Sequence, residues 1–359
     1  MSFLSLKTHN FRNLQNGAID ISAKEIYFVG ENGQGKTNFL ETLYFVSYGN
    51  SWRTHVDSQI VKNGEKNFAL HVLYKNEKDS IQKIDVSFEN GKKQIEKNGK
   101  KIKDRKELIN TIPCVLFCHD DMKFAIGEPE WRRFFLDQSL ALFNPLYLDD
   151  LRKYKKILKN RNQILKSKNY ELLDAYDFEL AKTGLEIQKK RVNAVFEFNQ
   201  IFGNLYAEIS GIENLSIDYI SSWKKNNENE IVSHLFETRE RDKIMETTLS
   251  GPHRDKIFFV KDKKNFIQTA STGQQRLVSL VLRASQAVFY TRLTNVKPVF
   301  LMDDVLLELD PDKRKKMTAL LPSYEQLFCT FLPEEPYARY VRSSTKIFRI
   351  ENGMWYDEN

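Results

Sequence analysis

Cysteine is nearly missing. Three thiols, Cys114, Cys118 and Cys329, in 359 residues cannot build a disulfide framework. Cys114 and Cys118 lie in an apolar run without paired C-x-x-C knuckles, so buried thiols are expected rather than a zinc site, in a reducing compartment. Proline and glycine are sparse too, 9 and 15, and no Pro/Gly-rich linker, repeat or low-complexity tract appears. No apolar run approaches the ~18 residues that a membrane span requires. The first residues, Met1 to Lys7, lack a basic segment followed by an apolar stretch, so no secretory leader is read there. These absences lead us to expect a soluble cytoplasmic protein.

What is present is a large core. Hydrophobic residues make up 41% and aromatics 12%, which excludes disorder, and the length has room for roughly two domains or more. The 55 basic residues outnumber the 48 acidic ones, a net charge of +7, which points to a polyanionic partner.

The first hundred residues read as strands with one strong helix. Phe3–Leu6, Ala18–Ile21 and Ile26–Val29 are short strand candidates; Phe68–Tyr74, Ile81–Phe88, Gln94–Lys97 and Lys101–Ile102 follow. Asn90-Gly91 and Asn98-Gly99 between them signal hairpins, so an antiparallel meander is expected. Between Leu146 and Leu205 the texture changes. Tyr147, Leu151, Tyr154, Leu158 and Leu165 recur at helical steps, and Leu173, Leu180, Ile187, Val195 and Phe202 continue after a polar break at Ser167–Asn169. That pattern predicts an antiparallel helical hairpin. Asn226–Glu230 reads as a polar loop, and strands alternate with helices from Ser250 onward, as in an α/β layer.

The run Gly30-Glu31-Asn32-Gly33-Gln34-Gly35-Lys36-Thr37 matches G-x-x-x-x-G-K-[ST] between a strand and a helix. Such glycines turn backbone N–H groups inward around phosphates, the lysine reaches the β- and γ-phosphates, and the threonine hydroxyl faces Mg²⁺. Pro298-Val-Phe-Leu-Met-Asp303-Asp304 is an apolar strand that delivers two carboxylates to a sheet's C-terminal edge. Asp303 suits the Mg²⁺ side, and Asp304 suits orienting or deprotonating the attacking water. Ser271, Gly273 and Gln274 open an amphipathic helix. A hydroxyl, free amides and the positive dipole end there make a second anion receptor, where the plain alternative is an ordinary serine cap.

These elements in this order form the nucleotide-binding set of ABC ATPases, and a helical hairpin between them suggests the SMC-like branch. Within it the chain resembles the RecF family of bacterial recombination and gap-repair proteins. The likeness runs essentially end to end. It includes Asn10-Phe-Arg-Asn13, the phosphate loop through Asn38, Phe117 with Asp121, Arg132-Arg133-Phe134 with Asp137, and Arg161-Asn162. It continues with Ser250-Gly-Pro-His-Arg-Asp255, Ser271-Thr-Gly-Gln-Gln-Arg276, and Asp303-Asp304 with Glu308-Leu-Asp310. The resemblance implies an α/β fold, an ABC-type P-loop ATPase head with an inserted antiparallel coiled-coil arm. It assigns residues 1–125 and 246–359 to the two halves of the head and 126–245 to the arm. It also implies ATP and Mg²⁺ as cofactors, with Arg12 and Asn13 near base and sugar. The activity implied is weak, DNA-stimulated hydrolysis that gates an ATP-dependent homodimer on duplex or gapped DNA. RecR- and RecO-type mediators and a nucleoid location complete the expectation.

His253 and Arg254 read equally as catalytic groups or as a pair bracing the head. From Arg152 to Lys168 no acidic residue interrupts a basic helix that contains Lys155, Lys156, Lys159 and Arg161. A solvated face is its usual meaning, yet such a run also suits phosphate tracking. Lys92, Lys93 and Lys100–Lys106 form a second basic cluster, and Arg53 is a third candidate for DNA contact. No aromatic-interleaved platform for single strands is evident. Two other classes share part of the motif set. A membrane-transporter ATPase subunit would lack the long basic hairpin, and a P-loop phosphotransferase would lack the Ser-x-Gly-Gln segment.

Overall fold

Asn90-Gly91 and Asn98-Gly99 take positive φ at both residues (51° and 72°, 53° and 75°), as type I′ hairpin turns require. They close hairpins in the computed structural model of the chain, which describes residues 1–305 and 309–358. The first strands are β1 (Ser2–His9), β2 (Gly17–Asp20), β3 (Glu25–Val29), β4 (Phe68–Lys75), β5 (Ile81–Glu89), β6 (Lys92–Lys97), β7 (Lys100–Lys101) and β8 (Cys114–Phe117). Next come β9 (Leu215–Ile220), β10 (Lys256–Lys261) and β11 (Lys264–Asn265). The last are β12 (Val299–Met302), β13 (Leu327–Phe331), β14 (Thr345–Glu351) and β15 (Met354–Asp357). The chain divides into two compact units, residues 1–121 with 286 onward, and Met122–Ser285.

The first unit holds two six-stranded sheets. One is antiparallel, in the order β2-β1-β4-β5-β6-β7. Phe68, Leu70, Val72 and Tyr74 of β4 are buried and alternate with more open neighbours, as a sheet with one covered face requires. The other, β15-β14-β3-β13-β12-β8, is parallel apart from β15. Its strands β3, β13 and β12, and the edge strand β8, are buried along their whole length, the signature of a parallel sheet inside an α/β layer. The helix Lys36–Tyr48 packs on it, with Phe39 stacked on Phe28 at 4.8 Å between centroids. The three cysteines are free and buried, as expected.

In the second unit the helices Tyr147–Ser167 and Leu173–Asn199 pair as a hairpin. Lys190 meets Asp150 at 2.5 Å, Lys153 meets Glu179 at 3.2 Å and Arg161 meets Asp177 at 2.6 Å. One partner's number falls as the other's rises, so the helices run antiparallel. The sheet β11-β10-β9 completes the unit.

Three expectations need correction. The division expected at 245/246 falls inside the second unit, because β10 pairs with β9 across it and Asp242 is locked to Arg161 at 2.7 Å. The helical run does not continue unbroken to Phe202. It ends at Asn199, whose side chain bonds Ile217 of β9 at both its N–H and its carbonyl, and a separate helix, Phe202–Ser210, follows. Asn226–Glu230 is a loop only at its start: Asn227 caps Glu230 N–H at 2.9 Å and opens the helix Glu228–Glu237. No helix among the described residues is long and apolar enough to cross a membrane.

Candidate nucleotide-binding site

Strand order builds the site. β13 lies between β3 and β12, all parallel, so their C-terminal ends emerge side by side. The loop Gly30–Gly35 leaves β3 and leads into the helix that starts at Lys36. Two glycines are dictated by geometry: a Cβ at Gly30 would lie 2.3 Å from the Ile350 carbonyl oxygen, and Gly35 has φ +117°. Lys36 is buried and folds back over the loop, its Nζ donating to the Gly30 and Glu31 carbonyls at 2.7 and 3.1 Å. Thr37 Oγ1 donates to Asp303 Oδ1 at 2.8 Å, joining two motifs that are 266 positions apart.

Asp303 and Asp304 stand just beyond β12. Thr330 of β13 serves both. Its Oγ1 accepts from Asp304 N–H at 2.8 Å and lies 2.8 Å from Asp304 Oδ1 and 3.2 Å from Asp303 Oδ1. Asp304 holds a left-handed conformation, φ 52°, uncommon for a residue with a side chain and held in place by that bond to Thr330. Burial pushes the Asp303 carboxyl up to about 6, against the opposing hydrogen bond from Thr37, and the Asp304 charge adds to the rise.

That shift has a direction in pH. The group's native pKa lies above its ordinary value of 3.8, so its stabilising contribution is present below about pH 3.8 and lost as pH rises through 6. Asp303→Asn should therefore raise the melting temperature of the nucleotide-free protein at pH 7.5, by a stability on the order of 2 kcal/mol, and change little near pH 4. Thermal unfolding at the two pH values checks this; equal shifts at both would refute it.

Beside the loop, a fully buried Glu41 gathers two arginines. Arg12 grips it through Nε and NH2 at 3.0 and 2.7 Å, and Arg53 NH1 reaches it at 3.0 Å. Arg53 also bonds Asn38, which donates to Asn13 Oδ1 at 2.7 Å. Arg12, Asn13, Asn38, Arg53 and Lys62 line an open cleft of about 480 Å³. Arg53, a candidate for DNA contact, thus lines the cleft by the phosphate loop. Glu41 carries no motif; only its place one turn after Thr37, on the helix face toward Arg12, could have singled it out.

The C-terminal hairpin clamps the same loop. Asn352 N–H donates to Gln34 Oε1 at 2.5 Å and Gly353 N–H to the Gln34 carbonyl at 2.8 Å. Gly353 has φ +78°, and a Cβ there would sit 1.9 Å from the Asn13 carbonyl oxygen. Gly353→Ala should cost about 1–3 kcal/mol of stability and weaken nucleotide affinity; calorimetric titration with ATP, run beside thermal unfolding, would show it. Unchanged values for both would remove the clamp.

The remaining candidates lie in the other unit. Ser271 N–H donates to Gln274 Oε1 at 2.7 Å and Gln274 N–H to Ser271 Oγ at 3.3 Å, a reciprocal capping box at the start of the helix Thr272–Thr294. Ser271 and Gly273 are exposed, with nothing near the position of a Gly273 Cβ. Lys155, Lys156 and Lys159 are exposed on the hairpin helix without ion-pair partners among the described residues. Arg161 of the same basic run is not a surface residue. It is fully buried, bonding Asp177, Asp242 and Thr248. His253 is a brace: its Nε2 donates to the Thr248 carbonyl at 3.0 Å, so Nδ1 accepts from the Tyr154 hydroxyl at 2.7 Å. Burial lowers its pKa to about 4 and keeps it neutral. Arg254 turns outward. Glu308 lies outside the described residues, while Asp310 caps the helix Pro311–Leu320 through Lys313 N–H at 2.9 Å.

The model of the RecF/RecN/SMC N terminal domain family matches residues 3–355. A protein of Treponema pallidum (strain Nichols) named "DNA replication and repair protein RecF" is 49% identical over 350 residues, 97% of this chain and 99% of its own. The chain belongs to the RecF family. A solved RecF structure, described as the recombination mediator protein RecF-ATP in the RecFOR pathway, superposes with a TM-score of 0.90 at 28% identity, covering 100% of this chain and 98% of the other. An Smc head domain matches with a TM-score of 0.58 at 15% identity, covering 99% and 97%, a likeness of fold alone. RecF membership makes the α/β fold that of an ABC-type ATPase head, and it disfavours the transporter and phosphotransferase readings.

Proposed function

We propose that the chain is an ATP-dependent DNA-binding protein of recombinational repair and replication restart, in which nucleotide binding and slow hydrolysis switch a homodimer on and off duplex or gapped DNA. The observation that carries this reading is the Thr37–Asp303 contact at 2.8 Å beneath a lysine that caps its own loop. Lys36 Nζ donates to two loop carbonyls, and the β- and γ-phosphates of ATP would take their place. Thr37 Oγ1 and Asp303 are hard oxygen donors beside that position, and a buried carboxylate with a raised pKa gains most from a cation. They fit Mg²⁺, which they would hold and which would supply positive charge against the phosphates. Asp304, held by Thr330, would orient or deprotonate the attacking water, and Arg12 and Asn13, which line the cleft by the loop, would lie near base and sugar.

The names of its relatives support the repair role and the RecFOR pathway; RecR- and RecO-type mediators are the expected partners that help load the recombinase. The exposed Lys155, Lys156 and Lys159 are our proposed phosphate contacts, in a protein working in the cytoplasm at the nucleoid. Anisotropy of a labelled gapped duplex, titrated over a range of salt with and without ATP, tests the whole. Affinity should fall steeply with salt, each phosphate contact adding about −0.9 to the slope of log K against log salt. Reversing all three lysines should flatten that slope, and Lys36→Met should abolish the ATP dependence. Salt-independent binding, or ATP-independent binding by the parent protein, would overturn the proposal.

A further inference from the structure

The parallel sheet has a second face. Ile26 and Phe28 of β3 and Phe328 of β13 join the core against Phe39 of the phosphate-loop helix. Side chains alternate along a strand, so Tyr27, Leu327 and Cys329 point the opposite way. There they floor a groove of about 490 Å³, walled by the helix Pro311–Leu320 on one side and the turn Pro336–Tyr340 on the other. Nothing in the nucleotide chemistry uses it.

Its charge is one-sided. Lys315, Arg339 and Arg342 line it, all exposed. Lys315 and Arg339 have no ion-pair partner among the described residues. Its one carboxylate among the described residues, Glu25, is 1% exposed and saturated: Tyr324 OH donates to it at 2.6 Å, Thr345 Oγ1 at 2.9 Å and Arg342 NH1 at 3.2 Å. The floor is apolar apart from the saturated Glu25, and the rim is cationic. A volume of this size accommodates one or two large apolar side chains.

The aromatic rings discriminate between classes of anionic partner. Tyr27 meets Phe331 edge-on at 5.0 Å, and Tyr340 stacks on Phe331 at 6.5 Å. Tyr27 and Phe331 already pack on one another and on Tyr340, so neither ring is free to stack on a nucleobase. We infer that this groove docks an acidic peptide segment of a partner protein, an apolar side chain entering between the helix and the turn while flanking carboxylates meet Lys315, Arg339 and Arg342. Charge complementarity sets the orientation and the salt dependence, and the buried anchor supplies the affinity.

The test uses the whole protein and a short fluorescein-labelled peptide that alternates Asp and Glu with Leu and Phe, read by anisotropy. Binding should saturate and weaken as salt rises. Lys315→Glu combined with Arg339→Glu should weaken it about tenfold or more. Ala319→Trp, which fills the groove from its exposed rim without altering charge, should weaken it independently. Both variants should keep the parent's ATP turnover, since neither touches the nucleotide site. Peptide affinity unchanged in the two variants would overturn the inference, as would a labelled oligothymidylate losing affinity in both while the peptide does not.

Discussion

Asp304→Asn should bind ATP as the parent does and hydrolyse it at least about a hundredfold more slowly, since a general base contributes roughly that much to a proton-transfer step. The substitution is mild for the fold. Asp304 sits at φ 52°, a region that asparagine tolerates better than most residues. The amide oxygen can keep the contact with Thr330 Oγ1 now made at 2.8 Å, and the backbone N–H still donates to that hydroxyl. What disappears is a carboxylate able to take a proton from water. Rapid-quench measurement of a single turnover separates binding from chemistry. Hydrolysis at the parent rate would move the role of base to another residue.

Ser271→Arg should leave ATP affinity near the parent value while abolishing ATP-dependent dimerisation and the ATP-stimulated part of DNA binding. The phosphate loop and the Ser271–Gln274 cap belong to different compact units. In the ABC-type arrangement we propose, two protomers related by a two-fold axis each give this cap to the γ-phosphate held by the other. ADP lacks that phosphate, so hydrolysis removes the preference for the closed state. An arginine would fill the exposed receptor with bulk. It also deletes the Ser271 Oγ bond to Gln274 N–H, a cap worth about 1 kcal/mol, so Ser271→Ala serves as the control that loses the cap without the bulk. Light scattering with ATP, beside a nucleotide titration, decides the matter. A Ser271→Arg protein that still dimerises on ATP addition would rule out the shared site.

Local chemistry carried much of this protein in one dimension. The phosphate loop is legible because its glycines, lysine and threonine act through their own backbone within eight consecutive positions. Asn-Gly pairs announce hairpins because positive φ is a property of the residue, and the buried faces of Tyr147–Ser167 and Leu173–Asn199 follow from helical spacing. The acidic end of β12 was readable for the same reason. Tertiary structure alone decided the rest, because it depends on which distant segments meet. Thr330 becomes a partner of Asp303 and Asp304 only once β13 lies beside β12. Glu41 matters only when Arg12 and Arg53 converge on it, and Gly353 only when the C-terminal hairpin closes over Asn13 and Gln34. Arg161, one cation in a basic run, turns inward because two carboxylates from elsewhere in the chain, Asp177 and Asp242, wait there for it. A sequence records which charge a residue carries; burial against a partner determines whether that charge faces solvent or holds the fold together.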